Sequence, residues 1–505
     1  MATREFDFLV LGSGLAGLSF ALEAAKSGTV GVLTKAQAEE SNTGYAQGGI
    51  AAAVGEADSW ELHERDTLIA GAGLNDVDAV RFLVRQAPEA IEWLRGLGAR
   101  FDVRPEDNTL ALGREGGHSR SRIVHHADNT GWEIERAVVE AVRKTPNITV
   151  YEHTFVTELL MADGRCVGAA GMVEGVGLRT FLGRRAVMLA TGGCGKIYSH
   201  TTNPRVATGD GYALAKRIGA QLRNMEFMQF HPTTLYHPQM RSFLISEAVR
   251  GAGATLRNHH GRRFMYDYDE RLELAPRDVV ARAIDSEMKR LQTWCVYLDT
   301  THLKKELLEE RFPMIYNSLK KVDLEIHKDW IPVVPAQHYS CGGVVTDLRA
   351  RTTVPGLYAA GEVACTGVHG GNRLASNSLL EALVFGRAGA AAAAEEEPYK
   401  GPAPEPAPVR CVPEAQAVRI RHGVQRTMTD HVGIVRTNAG LAQALGRLEE
   451  LRADYERQPA AEFSVYAAET PNILETALEV VRAAIARKEN VGLHYNKDLV
   501  SDDSR

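Results

Sequence analysis

The spacing of apolar and polar positions along this chain changes twice, and each change predicts a different kind of element. Near the start, Phe6 to Leu11 is a short, mostly apolar run closed by Gly12, the pattern of a strand buried in a parallel sheet. The following stretch, LAGLSFALEAAKSG, carries apolar residues at helical spacing and predicts a helix that ends near Gly28 as its C-cap. TVGVLTK then predicts a second strand. Two more short apolar runs, Arg185 to Ala190 and Gly356 to Ala360, are strand candidates followed by glycine. Between about 226 and 345 the pattern breaks into polar loops and short helices such as Arg277 to Arg290. Glu395 to Pro413 is proline-rich and reads as a linker. After it, apolar residues three and four apart predict helices near 414–430, 438–457 and 471–488, with Asn438 as a cap of the second.

Composition narrows the class. At 505 residues the chain exceeds one ordinary core, and 44% hydrophobic with 24% charged residues is globular. A net charge of -6 gives no reason to expect nucleic acid or an anionic membrane as a partner. No apolar stretch approaches the ~20 residues of a membrane span, and nothing at the N-terminus resembles a signal peptide. The six cysteines are scattered without a C-x-x-C pair, so no metal centre is expected, and reduced thiols in a cytoplasmic protein fit best.

Candidate chemistry starts at Gly12-Ser-Gly14-Leu-Ala-Gly17, between predicted strand and helix. Two glycines allow a tight turn and close approach of a pyrophosphate to the helix N-terminus, and the third lets the helix pack on the strand. The second strand closes in Leu33-Thr34-Lys35, without the acid that holds a ribose in plain NAD sites. The small, polar, Gly-rich segment from Ser41 to Ile50 can wrap a cofactor through backbone N–H groups.

These segments recur with others in one order: GSGLAG at 12–17, TGYAQGGIAAA at 43–53, REGGHS at 114–119, ATGGCG at 190–195, TGDGYALA at 208–215 and EFMQFHPTTLYHP at 226–238. ELAPRDVVARAI at 273–284, HYSCGGVVTD at 338–347, the long run GLYAAGEVACTGVHGGNRLASNSLLEALVFG at 356–386 and GLHYNKD at 492–498 follow. In all of them the chain resembles the flavoproteins of the succinate dehydrogenase, fumarate reductase and L-aspartate oxidase superfamily. The resemblance implies an α/β fold: a discontinuous Rossmann-like FAD-binding domain (1–225 and 346–400), an inserted α+β capping domain (226–345) and a C-terminal helical domain (413–505). It places FAD contacts on Gly12, Ser13, Gly14, Leu15, Ala16, Gly17, Lys35, Asn42, Thr43, Gly44, Gln47, Gly48, Gly49, Val156, Asp210, Glu362, Ser378 and Leu379. Membrane-complex members carry a histidine bonded covalently to FAD where this chain has Asn42, so non-covalent FAD is expected.

A four-carbon dicarboxylate needs several fixed donors, which arginine forks and imidazoles supply. The resemblance offers His231, Ser246, Arg277, His338 and Arg373 for that task, with Arg277 at the family's proton-transfer position. Arg250 and Arg282 are expected to be structural. Aspartate adds one ammonium to this pattern, and a buried ammonium needs a carboxylate partner. Glu115 is the candidate. The implied reaction is FAD-dependent oxidation of L-aspartate with oxygen or fumarate as acceptor, the first step of NAD biosynthesis, its product passing to a quinolinate synthase. A soluble fumarate reductase or a succinate dehydrogenase flavoprotein subunit is the nearest alternative; a non-catalytic FAD-binding protein and an NAD-dependent dehydrogenase stand further off. Two departures stand out: Ser246 replaces a frequent threonine, and Glu489-Asn-Val-Gly492 lacks the family's arginine before its final segment.

Overall fold

The computed structural model describes residues 3–240 and 243–499. The first strand, Thr3–Leu11, runs parallel to Val30–Leu33 on one side and to Gly177–Leu189 on the other. Phe8 to Leu11 are fully buried, which is why the run is continuously apolar. Ile148–Tyr151 extends the parallel core beyond Val30–Leu33, and Leu357–Ala359 pairs parallel to Gly177–Leu189. Arg165–Val173 and Thr154–Ala162 complete the sheet as antiparallel strands. The register sets Leu11 beside both Leu33 and Leu189, and Leu189 beside Ala359. Four parallel strands therefore end at one level, and ligands of open α/β sheets bind in the crevice outside such ends.

The first helix, Leu15–Ala24, stops four residues before the expected cap. Gly28 is small for another reason: a Cβ there would stand 2.6 Å from the Asp7 carboxylate, which accepts from the Thr29 backbone and hydroxyl. The middle of the chain carries a second, antiparallel sheet in the order Met228–Leu235, Ile331–Ser340, Val296–Asp299, Thr255–Arg257. The helix Arg277–Leu291 covers it, closing an apolar core around Leu256, Phe264, Ile284, Leu298 and Val333.

The proline-rich segment is not a free tether. Arg184 donates to the carbonyls of Tyr399 and Gly401, and Tyr399 N–H donates back to Arg184 O. Beyond it lie helices Glu414–His431, Asn438–Arg457 and Val465–Ala486. Thr437, not Asn438, caps the second, its hydroxyl accepting from Gly440 N–H. The third begins six residues before the expected 471, capped by Ser464, and keeps Pro471 in its interior. Its apolar face continues the core of the large sheet: Leu478 and Val481 cluster with Val424, Met428, Tyr198 and Tyr212. Among the described residues no helix is long and apolar enough to cross a membrane.

Candidate functional site

The level strand ends open into one cavity of about 1720 Å³. Its floor is the set of segments that leave the parallel strands: Gly12 to Ala16, Leu33 to Ala36, Ala190 to Gly192 and Ala360 to Glu362. Every residue assigned to cofactor or substrate from the sequence lies in its wall except Gly17. Gly17 serves packing instead, since a Cβ on it would stand 2.2 Å from Gly12 O and 3.1 Å from Val10. Gly12 has φ +112° and passes so close to the neighbouring strand that a Cβ would lie 2.2 Å from Ala190 O. The first helix points its N-terminus into the cavity, and Gly14 supplies no side-chain cap. Thr43 reaches over to accept from Leu15 N–H at 3.0 Å, tying the Gly-rich loop to that helix.

The chemistry of this wall fits FAD. Three buried polar atoms on it, Asn42 Oδ1, Gln47 Oε1 and Thr191 Oγ1, have no hydrogen-bond partner among the described residues. Such atoms are costly unless a ligand's hydroxyls and ring N–H groups, which FAD has, satisfy them. The Asn42 amide donates to Glu362 Oε2 at 2.9 Å. Burial pushes the Glu362 carboxyl up to about 7, against the Ser340 N–H, Arg373 and Asn42.

At one end the antiparallel sheet brings His231 and His338 together from neighbouring strands, with ring centroids 5.4 Å apart. His231 Nδ1 accepts from Thr233 N–H at 3.2 Å, so the proton of the neutral ring sits on Nε2. His338 Nδ1 shares a hydrogen bond with the Thr202 hydroxyl at 2.8 Å. Burial holds both imidazoles neutral, reinforced for His231 by Arg277 and for His338 by Arg373. Arg373 has neutral neighbours: two of its nitrogens share Gln229 Oε1, a third donates to the Ser378 hydroxyl, and its guanidinium lies 4.5 Å from the Tyr339 ring centroid. Burial opposes its charge and nearby Arg277 adds to that.

Arg277 is placed differently. Its Nε donates to Glu247 Oε2 at 2.5 Å. Burial alone would raise the Glu247 carboxyl, but Arg277 and Arg250 outweigh it and hold it down to about 2. Glu115 lies in the same wall and accepts from the Ser376 hydroxyl at 2.6 Å. Burial and Glu247 raise its pKa against the opposing pull of Arg277 and Arg373. Ser246 lines the cavity while its oxygen caps the short helix Glu247–Gly251 by accepting from Ala248 N–H. Arg250 and Arg282 stay outside the wall; Arg250 donates to Glu273 O, and Arg282 pairs with Asp278.

At the far end Lys35 closes the second strand. Its ammonium donates to Thr208 at 2.7 Å, Asp210 at 2.7 Å and Glu469 at 2.6 Å. Close to the segment that lacks the family's arginine, Arg487 pairs with Glu226 at 2.8 Å, at the entry to the strand that carries His231.

Sequence reasoning overlooked Glu247, Gln229, Tyr339 and Glu469. Glu247 had one usable signal, an acid directly after a capping serine and hence in a first helical turn. Gln229 and Tyr339 lie inside the segments 226–238 and 338–347 that also carry His231 and His338, whereas Glu469 had no signal. Among the described residues no group of three or more His, Cys, Asp or Glu is placed to hold a metal ion.

Comparison with known proteins agrees with this geometry. Residues 7–379 match the family model described as the FAD binding domain, and residues 421–505 match the fumarate reductase flavoprotein C-terminal model. In structure the chain is similar to a variant of E. coli quinol fumarate reductase, with TM-score 0.91 and 32% identity over 100% of this chain and 93% of that one. The chain thus belongs to the FAD-binding flavoproteins of the succinate dehydrogenase and fumarate reductase class. Its curated relatives are narrower in kind. It is 45% identical to the L-aspartate oxidase of Yersinia pestis over 97% of this chain and 96% of that one. It is 47% identical to L-aspartate oxidase 1 of Ralstonia nicotianae over 98% and 95%. Within the class, the chain belongs to the L-aspartate oxidase family.

Proposed function

We infer that this protein oxidises L-aspartate to iminoaspartate, with FAD held non-covalently and with oxygen or fumarate as the final acceptor. Oxygen leaves as hydrogen peroxide and fumarate as succinate. The observation that carries this reading is the presence, in one cavity, of a buried arginine that hydrogen-bonds no carboxylate and a desolvated carboxylate that hydrogen-bonds no cation. Arg373 hydrogen-bonds only neutral groups, and Glu115 only a hydroxyl. L-aspartate brings the complement of both, a carboxylate and an ammonium.

FAD, when bound, supplies the acceptor for the hydride that leaves Cα. The chain's own residues do the rest. Arg373 and His338 take one substrate carboxylate. His231, donating from Nε2, and Ser246 take the other. Glu115 faces the amino group and, with its raised pKa, accepts a proton as the C–N bond gains double-bond character. Burial opposes the charge of Arg277, but Glu247 and Glu115 hold its pKa above the ordinary value. It therefore acts as a fixed cation that orients substrate and balances the carboxylates around it. Asn42 cannot form the histidine–flavin bond of membrane-complex relatives, which supports non-covalent FAD.

All six cysteines are unpaired and buried, which supports a reducing compartment such as the cytoplasm. Iminoaspartate is unstable, so a quinolinate synthase consuming it at once is the expected successor, making this the opening step of NAD biosynthesis. The test is product analysis. L-aspartate in air should yield peroxide, and L-aspartate with fumarate under nitrogen should yield succinate. Failure of both would sink the assignment.

A further inference from the structure

In a dinucleotide-binding fold the residue closing the second strand handles the adenosine ribose, and it is ordinarily an acid that accepts from the ribose hydroxyls. Here that position is Lys35, and an ammonium donates three hydrogen bonds and accepts none. All three of its donors are already spent, on Thr208, Asp210 and Glu469. Glu469 is contributed by the helix Val465–Ala486, 434 residues further along the chain, and it lines the cavity. One turn on, Asn472 donates to the other oxygen of Asp210 at 2.7 Å. The two residues share one helical face and grip the two cofactor-site groups together. Arg421, from the helix Glu414–His431, donates to the second oxygen of Glu469 at 2.9 Å and lies 3.7 Å from the Tyr466 ring centroid. The charges match: two cations and two carboxylates, with Lys35 and Glu469 only 14% and 8% exposed at their side chains.

We propose that Glu469 is the positioning residue of the adenosine end of the FAD site, holding Lys35 and thereby coupling the docking of the C-terminal helices to retention of the cofactor. A carboxylate from the helix Val465–Ala486 thus reaches the end of the second strand and acts there through Lys35. Burial opposes the charge of Lys35, and Asp210 and Glu469 together outweigh it. Removing one of the two carboxylates leaves a buried ammonium under-compensated at the ribose end.

This inference rests on the FAD reading above, and its test separates the two. Holoenzyme is diluted and the FAD released is followed by flavin fluorescence, giving Kd; ADP is then used to displace FAD. Glu469→Gln is expected to weaken FAD and ADP alike by about tenfold or more. In a double-mutant cycle with Lys35→Met the two effects should be strongly non-additive, because one acts through the other. Should Glu469→Gln not fold, the pair Glu469→Leu with Arg421→Leu spares Arg421 from being left unpaired while Lys35 still loses its second carboxylate. It should show the same loss. Unchanged FAD affinity in the variant overturns the inference, as does additivity with Lys35→Met, or weakened FAD with unaltered ADP. A wild-type protein that retains no flavin overturns the FAD reading itself.

Discussion

The two ends of the cavity treat charge in opposite ways. Around Lys35 every charge has its counterpart, and hydrogen bonds join the second strand, the Asp210 helix and two C-terminal helices. Around Arg373 the partners are an amide oxygen, a hydroxyl and an aromatic ring. A buried charge without a counter-charge is expensive unless something else supplies one. The compensated end is built to hold its shape, and the uncompensated end is completed by what binds there. Arg277 stands between the two cases, paired with Glu247 yet within the substrate end.

Substitution of Arg373 should break this contrast most severely. Arg373→Met removes the cation that lacks a counter-charge, and flavin reduction by L-aspartate should fall by about 10²–10³-fold while the flavin stays bound. Rapid-mixing absorbance reads both quantities. Arg277→Leu takes away a cation and leaves the Glu247 carboxylate with only the more distant Arg250. Turnover with aspartate and with fumarate should both drop by about 10²-fold; steady-state assays showing normal rates with both would discard an orienting role and a proton-transfer role together. Glu115→Gln keeps the shape and removes the charge. It should cost aspartate oxidation about 10- to 100-fold in kcat/KM and fumarate reduction much less. Equal losses would mean that Glu115 does not read the ammonium.

The remaining effect is thermodynamic. Glu362 is held protonated up to about 7 against an ordinary 4.5. Below pH 4.5 it is neutral whether the chain is folded or not. Between 4.5 and about 7 the unfolded chain gives up this proton and the folded one keeps it, so its contribution to stability falls as pH rises. The loss is complete above about 7 and amounts to at most ~3 kcal/mol. Thermal melts of the flavin-free chain across that interval should show a decline that Glu362→Gln abolishes.

Much of this architecture was legible before any coordinates, for physical reasons. The buried parallel strands must be continuously apolar, and the turns that follow them must be small, so Phe8 to Leu11 with Gly12, and Leu189 with Gly192, announce the crevice. Arg277, His231, His338 and Arg373 sit inside long ordered motifs, and all four line one cavity. Local end signals were less dependable. Pro471 resembles a helix start but lies inside one, since Ser464 caps earlier. Gly28 resembles a C-cap but makes room for Asp7. Glu469 carried no signal at all: a charged residue on an amphipathic helix reads as a solvated face, and only tertiary packing turns it toward Lys35.

Anaerobic bleaching of the yellow holoenzyme, followed at the flavin absorbance band, tests the account most directly. L-aspartate and succinate would be added in separate experiments. Rapid bleaching by L-aspartate and little or none by succinate, with colour and peroxide returning on admission of air, is the predicted result. Bleaching by succinate with none by L-aspartate would contradict it, because the cavity would then bind a dicarboxylate without reading the ammonium.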